Sequence, residues 1–324
     1  MANTKLSINK IICGDALKTL KELPAESIDC VITSPPFFNL RDYGIEGQIG
    51  LEKTWQEYIK KLIDIFLEVK RVLKKEGTCF VNLGDSFNGN KKGNTSRKWK
   101  KINTDSFQKK RQEMPDKSLM LIPHHFAIAM IDNEWTLRNT LLWVKPNAMP
   151  ESVQDRWKKA HEYIFFFTKN KKYYFNLDAI RTSHKQVSIK RAEYEQGRNA
   201  LGLDPSSMGK KYLGNKRYMG MPARMVKLNP KGAIPPDYFL VNTNCSENDG
   251  AEGHWATYPQ DLINPLILAG CPKGGIVCDP FIGSGTTAVV AKKLGRNFIG
   301  IELSKNYCEL ARKRIDTECP PKLF

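Results

Sequence analysis

The sequence predicts an α/β protein built on one doubly wound, mostly parallel sheet. Strand-like and helix-like segments alternate at both ends of the 324-residue chain, which is the order that parallel βαβ units require. The strand-like runs are short, apolar and rich in β-branched residues, as in strands that are covered on both faces. Two irregular segments, 88–118 and 183–250, interrupt the alternation, so we expect them to be inserts in a single sheet.

Before the first insert, strands and helices alternate regularly. The predicted elements are a strand at 8–13, a helix at 16–23, a strand at 28–34, a helix at 54–73 and a strand at 78–83. The longest helix is amphipathic, because its apolar residues recur at helical spacing, and Gly77 is expected to end it. After the insert we expect a helix at 122–131 and strands at 138–144 and 163–168, with Tyr173-Tyr174-Phe175 pairing nearby.

The alternation returns after the second insert. The predicted elements there are a helix at 258–268, a strand at 275–281, a helix at 284–294, a strand at 297–303 and a helix at 305–315. The length alone suggests two domains, or one α/β domain with large insertions. Resumption of the same pattern favours the second arrangement.

The composition argues against a membrane-spanning or secreted protein. No apolar run approaches the ~18 residues that a membrane helix needs, and the first residues lack the apolar segment of a signal peptide. The eight cysteines are scattered without a CxxC pair, which is typical of reduced core residues in a cytoplasmic protein. His161-Glu162 lacks the second histidine of HExxH, and His124-His125 are adjacent, so we expect no metal site.

The net charge of +17 is concentrated in the two inserts. Segment 88–118 carries 10 basic and 3 acidic residues, and 183–250 carries 11 and 6, whereas 1–87 balance at 12 and 12. Basic side chains neutralise phosphates, and an interleaved aromatic residue can stack on a base. A solvated linker is the commoner interpretation of one such loop. Two such loops on a neutral scaffold favour a nucleic-acid partner.

The stretch Thr33-Ser34-Pro35-Pro36-Phe37-Phe38 lies where the second predicted strand ends, at the edge where open α/β sheets bind ligands. Two prolines fix φ and remove N–H donors, so the Ser34 hydroxyl and the Pro35 carbonyl can face outward as acceptors. Phe37 adds a flat face. This combination suits a flipped-out base with an exocyclic amine, although a rigid turn with a core phenylalanine also explains these residues.

A second stretch, Asp279-Pro280-Phe281-Ile282-Gly283-Ser284-Gly285-Thr286-Thr287, closes one predicted strand and opens a helix. Its glycines let the backbone approach a ligand, and the helix N-terminus adds partial positive charge. Glu302 ends the next strand, where a carboxylate can accept hydrogen bonds from a ribose diol. The spacing indicates a nucleoside-type cofactor site, and a tight turn beside a surface glutamate is the alternative.

These motifs resemble the β group of DNA amino-methyltransferases that use S-adenosylmethionine. Residues 279–287 are similar to that family's cofactor loop, Gly300-Ile301-Glu302 to its ribose-binding strand end, and residues 33–37 to its catalytic motif. Further similar segments are Gly14-Asp15-Ala16-Leu17, Trp143-Val144-Lys145-Pro146-Asn147, Arg156, His161-Glu162 and His254-Trp255-Ala256-Thr257-Tyr258-Pro259. The catalytic motif precedes the cofactor loop, which is the circularly permuted order of this group.

The resemblance implies a Rossmann-like methyltransferase sheet, S-adenosyl-L-methionine as cofactor and double-stranded DNA as substrate. Residues 1–182 would form the catalytic part of the methyltransferase domain, and 251–324 the cofactor-binding part of the same domain. Residues 183–250 would form a target-recognition insert. A paired restriction endonuclease is a further expected partner.

The resemblance also implies a role for each motif residue. The catalytic set would be Ser34, Pro35, Pro36 and Phe37. The cofactor set would be Asp15, Phe281 and Glu302 for the adenosine, Asp279, Pro280, Gly283, Ser284, Gly285, Thr286 and Thr287 toward the methionine, and His254, Tyr258 and Pro259 around it. In this family a serine before Pro-Pro usually accompanies cytosine N4 methylation, which we therefore expect, with adenine N6 as the alternative.

The expected DNA contacts are Arg41 and residues of the two inserts, namely Arg97, Lys98, Trp99, Lys100, Lys101, Lys109, Lys110, Lys210, Lys211 and Arg217. Segment 183–250 should supply most base contacts, because it mixes Asn, Tyr, Met and Arg, and 88–118 should mainly contact phosphates.

Two other function classes stay open. They are methylation of an amide or amine in protein or RNA, and nucleic-acid binding without activity. A cytosine-C5 methyltransferase is disfavoured, because the chain has no Pro-Cys pair to supply the nucleophile.

Overall fold

The computed structural model describes residues 6–89, 112–190, 192–193, 228–243 and 257–320. Its strands are β1 (Lys10–Cys13), β2 (Ile28–Thr33), β3 (Leu73–Leu83), β4 (Thr136–Val144), β5 (His161–Thr168), β6 (Tyr238–Leu240), β7 (Ile276–Asp279) and β8 (Asn297–Glu302). They form one sheet in the order β1-β8-β7-β2-β3-β5-β4-β6. Neighbouring strands of this sheet are parallel except in the β3–β5 and β4–β5 pairs. The mostly parallel sheet that the sequence predicts is confirmed.

Helices cover both faces of the sheet. They are α1 (Ala16–Glu22), α2 (Trp55–Val72), α3 (Ile122–Asp132), α4 (Gln260–Gly270), α5 (Thr286–Lys293) and α6 (Lys305–Glu318). Helices α1, α2 and α3 bury residues such as Leu20 and Phe66 in one apolar cluster. Helices α4, α5 and α6 bury residues such as Leu262 and Val289 in a second cluster. The fold is therefore doubly wound, as predicted.

The strand sequences explain why two apolar clusters form. Successive side chains of a strand point to opposite faces of the sheet. In β5, Phe165 and Phe167 therefore belong to the first cluster, and Phe166 belongs to the second. A run of apolar residues is what a strand buried on both faces requires.

Helix α2 begins as its sequence predicts but ends earlier. The Thr54 hydroxyl accepts a hydrogen bond from the Glu57 N–H at 3.2 Å, which caps the first turn. The expectation that Gly77 ends the helix is wrong, because Leu73 already has the extended conformation of β3. Gly77 lies inside that strand, where a Cβ atom would be 2.5 Å from the Leu73 side chain. Close packing, and not helix termination, requires this glycine.

The structure differs from the predicted strands at two further places. Tyr173-Tyr174-Phe175 forms no strand: the Tyr174 N–H donates to the Glu76 carbonyl at 2.8 Å, and the Phe175 ring stacks on Phe166. Strand β6 is not predicted, because three residues are too few to show a period. It pairs with Leu142–Val144 at the end of β4.

The chain divides into a sheet unit, Met1–Asn176 with Asp237–Phe324, and a second unit, Leu177–Pro236. In the second unit, Asp178 accepts from Arg181 at 2.7 Å, and Thr182 exchanges backbone hydrogen bonds with Ala233. The predicted insert 183–250 overlaps this unit, but its residues 238–240 form β6 of the sheet. A role in target recognition stays a prediction.

In the ranges that the structure describes, no helix is long and apolar enough to cross a lipid bilayer. The described cysteines are free thiols. Within the same ranges, no three His, Cys, Asp or Glu side chains are grouped in a way that could hold a metal ion.

Candidate active site

The carboxyl ends of seven strands lie at one edge of the sheet. Strands β1, β8, β7, β2 and β3 are parallel to one another. Strand β4 runs the same way because β3 and β4 both pair antiparallel with β5, and β6 is parallel to β4. A cavity of ≈ 290 Å³ opens at this edge. Its wall includes the predicted site residues Asp15, Ser34, Pro35, Pro36, Phe37, Arg41, Tyr258, Pro280, Phe281, Gly283, Ser284, Thr286 and Glu302. The structure thus brings the two motifs together.

One wall of the cavity, the glycine-loop side, is formed by Glu302 and by part of the loop 279–287, namely Pro280, Phe281, Ile282, Gly283, Ser284 and Thr286. Glu302 accepts hydrogen bonds from the Gly283 N–H at 3.0 Å and the Ser304 N–H at 2.8 Å, one on each carboxylate oxygen. Burial raises the pKa of Glu302, although these two N–H groups oppose the rise. A third backbone donor, Leu303, also acts on the carboxylate, which still keeps acceptor capacity for a ligand hydroxyl.

Gly285 connects this loop to helix α5. Its φ of 88° lies in the left-handed region, which favours glycine. A Cβ atom there would lie 3.1 Å from the Ala311 Cβ of α6. The glycine therefore lets the loop turn sharply while α5 packs closely on α6.

Asp279 is 1% exposed and is absent from the described residues that line the cavity. One carboxylate oxygen accepts from the Thr33 hydroxyl at 2.6 Å and the Phe281 N–H at 3.0 Å. The other accepts from the Thr287 hydroxyl at 2.6 Å and the Tyr258 hydroxyl at 2.8 Å. Burial raises the pKa of Asp279 despite these donors. Asp279 thus ties the glycine loop to the end of β2 and to Tyr258, and a contact between Asp279 and the cofactor stays a prediction.

The other predicted cofactor residues are placed as follows. Asp15 lines the cavity and caps α1, since its carboxylate accepts from the Lys18 N–H at 2.9 Å. Pro259, Gly285 and Thr287 are not among the described residues of the cavity wall. His254 lies outside the described residues.

A second wall, the proline-turn side, consists of residues 34–37 with Asn82, Lys145 and Glu162. The Asn82 side-chain nitrogen donates to the Tyr163 carbonyl at 3.1 Å, and the Asn82 oxygen lies 3.0 Å from the Ser34 Oγ. Because an amide oxygen can only accept, the Ser34 hydroxyl donates its proton to Asn82. The Ser34 oxygen therefore keeps its lone pairs for a donor in the cavity.

Neighbouring contacts fix the rest of the proline turn. The Tyr58 hydroxyl donates to the Pro36 carbonyl at 2.9 Å. The Phe37 ring packs against Gly84, where a Cβ atom would be 2.5 Å from it. In the described part of the chain no hydrogen-bond donor meets the Pro35 carbonyl. The turn thus presents two acceptors, Ser34 and Pro35, beside a flat ring.

An ion pair between Lys145 and Glu162 completes this wall, and both side chains are largely buried. The Lys145 ammonium also lies 4.1 Å from the centroid of the Trp143 ring. The sequence motifs contain Lys145 and Glu162 but indicate no role for either residue. Their pairing depends on the antiparallel contact of β4 with β5, which spacing along the chain does not reveal.

Arg41, predicted to contact DNA, lies in the cavity wall with Tyr43 and Gln48. The Gln48 side chain accepts from the Tyr43 N–H at 2.7 Å and donates to the Arg41 carbonyl at 3.1 Å, which holds this loop in place. Burial raises the pKa of Tyr43. The other predicted DNA contacts lie outside the described residues: Arg97, Lys98, Trp99, Lys100, Lys101, Lys109, Lys110, Lys210, Lys211 and Arg217.

Comparison with known proteins agrees with the motifs. A family model described as DNA methylase, for N6- and N4-methyltransferases, matches residues 28–313. The type II methyltransferase M.SmaI of Serratia marcescens is 37% identical over 94% of this chain and 90% of its own length. M.Cfr9I of Citrobacter freundii, also a type II methyltransferase, is 36% identical over 94% of this chain and 87% of its own length.

Solved structures share the fold. PvuII DNA methyltransferase (cytosine-N4-specific) has a TM-score of 0.62 at 18% identity and covers 96% of this chain and 95% of its own. A Thermus thermophilus protein complexed with S-adenosyl-L-methionine has a TM-score of 0.57 at 18% identity, with coverage of 97% and 95%. Since the family model spans most of the sequence and type II relatives align over nearly its full length, the chain belongs to the N6/N4 family of DNA methylases.

Proposed function

We propose that this protein methylates the N4 amine of cytosine at a specific site in duplex DNA, with S-adenosylmethionine as methyl donor. One observation carries the proposal. The hydrogen bond from Ser34 to Asn82 leaves the Ser34 oxygen as an acceptor in the cavity that Glu302 also lines. One cavity therefore contains a hydrogen-bond acceptor for the substrate amine and a site for a nucleoside-type cofactor.

The polar groups of the glycine-loop side fit S-adenosylmethionine. Glu302 would accept from the ribose diol, because its carboxylate keeps acceptor capacity beyond its three backbone donors. Asp15 and Phe281 would hold the adenine. The N-terminus of α5, with Ser284 and Thr286 beside it, would meet the methionine carboxylate. When bound, S-adenosylmethionine supplies a methyl group on a positively charged sulfur.

The proline-turn side would improve the amine as a nucleophile. The lone pair of an exocyclic amine is delocalised into the ring, so the nitrogen attacks poorly. If the Ser34 oxygen and the Pro35 carbonyl accept its two hydrogens, the nitrogen can become tetrahedral and free that lone pair. Both acceptors also stabilise the positive charge that develops on the nitrogen, so they act mainly in the transition state.

The amine reaches this cavity only if its base leaves the duplex, so the proposal includes base flipping. Phe37 lines the cavity beside the two acceptors. Stacking of the extruded ring on Phe37 would contribute roughly 1–3 kcal/mol.

Cytosine is favoured over adenine by Ser34. In this family aspartate or asparagine before Pro-Pro usually accompanies adenine N6 methylation and serine accompanies cytosine N4 methylation. A neutral hydroxyl is a weaker acceptor than a carboxylate and therefore makes a different demand on the base. The cytosine-N4-specific PvuII enzyme shares the fold, which agrees with this choice. Adenine N6 is the alternative target.

The type II names of the relatives support a place in a restriction-modification system. We therefore include a paired endonuclease in the proposal. It would cut the same site when that site is unmethylated.

The test is expression in a bacterial host that lacks DNA methyltransferases. Mass spectrometry of the digested DNA should detect N4-methyldeoxycytidine, and modified-base sequencing should place it in one short sequence. Ser34→Ala is the matched control and should leave the DNA nearly unmodified. N6-methyldeoxyadenosine alone would refute the choice of base. Unmodified DNA beside methylated RNA or protein would refute DNA as the substrate.

A further inference from the structure

The loop that joins β4 to β5, residues 145–160, crosses the edge of the sheet where the cavity opens. Lys145 at its start and Glu162 just after its end both line the cavity. The Lys145 N–H donates to the Ala160 carbonyl at 2.8 Å, which closes the base of the loop. Trp157 precedes Glu162 by five residues, so at most ~18 Å of chain separates it from the cavity wall.

Polar contacts hold this loop in place. The Arg156 guanidinium bonds Glu151 at 2.7 Å and lies 4.0 Å from the centroid of the Phe87 ring. The Asn147 side chain accepts from the Thr243 N–H at 2.9 Å and donates to the Thr243 carbonyl at 3.0 Å. The loop is therefore preorganised, and binding a partner would require little further ordering.

Two large apolar side chains project from this loop into solvent. Trp157 is 94% exposed and Met149 is 79% exposed. Because the ring of Trp157 is so exposed, it contributes little to the apolar cores of the sheet unit. An exposed tryptophan on a preorganised loop marks a contact surface.

The charges around Trp157 indicate the kind of partner. Both carboxylates of the loop are in ion pairs, Glu151 with Arg156 and Asp155 with Lys117 at 2.6 Å. Lys158 donates to a backbone carbonyl, that of Ala148 at 3.2 Å, so its positive charge is not neutralised there. An exposed ring whose neighbour in the chain carries a positive charge that is not neutralised complements the base faces and phosphates of DNA.

We propose that Trp157 stacks on the base step that opens when the target base leaves the duplex. The inference rests on the proposed function, because it requires an extruded base in the cavity. Extrusion breaks base stacking, and an apolar side chain placed against the open step replaces part of it. Trp157 would thereby raise the fraction of complexes in which the amine has reached Ser34.

The test measures single-turnover methylation by the wild type, Trp157→Ala and Trp157→Phe on two duplexes that carry the mapped site. One duplex is fully paired. In the other, the nucleotide opposite the target is abasic, so extrusion breaks fewer contacts. Trp157→Ala should be slower by about tenfold on the paired duplex. On the abasic duplex it should stay within about twofold of the wild type, and Trp157→Phe should be intermediate on the paired duplex.

Ile128→Ala is the control, because Ile128 is a 57% exposed apolar residue on α3, and it should match the wild type on both duplexes. The proposal is overturned if Trp157→Ala matches the wild type on paired DNA, or if it slows equally on both duplexes. A change in sedimentation without DNA would assign Trp157 to a contact between copies and would also overturn it. Failure of the wild type on both duplexes would instead contradict the proposed function.

Discussion

The glycine-loop side and the proline-turn side of the cavity differ in how far apart in the chain their hydrogen-bonded residues lie. On the glycine-loop side, Glu302 bonds the N–H groups of Gly283 and Ser304, which lie 19 and 2 residues away. On the proline-turn side, Ser34 depends on Asn82, which is 48 residues away, and Asn82 depends on Tyr163, 81 residues further on. Glu302 is therefore fixed by local contacts and Ser34 by distant strands, although the glycine loop also has one distant contact, between Asp279 and Thr33.

Because of this difference, we expect mutations to affect cofactor affinity and the methylation rate separately. A wall fixed by local backbone donors should keep its ligand affinity when distant packing changes. Because long-range hydrogen bonds orient the Ser34 hydroxyl, the same changes in packing should lower the rate of methyl transfer.

Ser34→Ala should give the largest effect. We expect the single-turnover methylation rate to fall by about 100-fold, because the variant lacks an acceptor that acts in the transition state. The affinity for S-adenosylmethionine, measured by calorimetry, should not change. Ser27→Ala is the control, since that hydroxyl bonds the Pro24 carbonyl just before β2 and should be neutral for rate.

Asn82→Ala sharpens the same test. It leaves the Ser34 hydroxyl present but free to rotate, so the rate should fall by a smaller factor than in Ser34→Ala, about tenfold. If Asn82→Ala instead weakened cofactor binding and left the rate intact, the two walls would not be separable in this way.

Glu302→Ala should show the reverse pattern: it should weaken cofactor binding and leave the methylation rate unchanged. Loss of a charge-assisted hydrogen bond to the ribose should weaken S-adenosylmethionine binding by about 1–3 kcal/mol, while the rate at saturating cofactor stays near that of the wild type. Glu309→Ala, an exposed carboxylate on α6, is the matched control. Unchanged affinity in a folded Glu302→Ala protein would remove Glu302 from the cofactor site.

The first insert should influence DNA binding alone. Replacing Lys100, Lys101, Lys109 and Lys110 with alanine should reduce the salt slope of DNA binding by about 0.9 for each phosphate that the variant no longer neutralises, and should keep the preferred sequence. Fluorescence anisotropy at several salt concentrations measures the slope. An unchanged slope, or a new preferred site, would contradict the expected division between the inserts.

The pH dependence of cofactor binding should be the smallest effect. Burial raises the pKa of Glu302 above its ordinary 4.5, and the ionised form is the better acceptor for ribose. Affinity should therefore be constant above the raised pKa and decrease as the pH falls through it, by at most about tenfold per pH unit. Glu302→Gln should abolish this decrease, and circular dichroism at each pH confirms that the protein is folded.

The contact between Gly283 and Glu302 on the glycine-loop side is predictable from the sequence because it is local. Gly283 and Glu302 lie in one strand-helix-strand unit, so their spacing alone indicates that they meet. The role of Asp279 is less predictable. Its place in the motif suggests ligand contact, but burial behind Thr33 and Tyr258 is a tertiary effect.

The proline-turn side is predicted only in part. Ser34 and Phe37 follow a recognisable strand. Asn82 is one polar residue near the end of an apolar strand, and nothing in the sequence pattern indicates its role. Lys145 and Glu162 approach each other only because β4 and β5 pair antiparallel. Long-range pairing of this kind leaves no period or spacing in the sequence.

Strand β1 lies at the edge of the sheet, and its partner is β8, with Lys10 opposite Ile299. During synthesis the partner strand therefore emerges about 290 residues later, roughly 15 to 60 s at ribosomal speeds. Through that interval the nascent chain carries an unpaired strand that could recruit a neighbouring chain. The strand has only four residues and begins with a lysine, and both properties protect the growing polypeptide from such association until its last strand arrives.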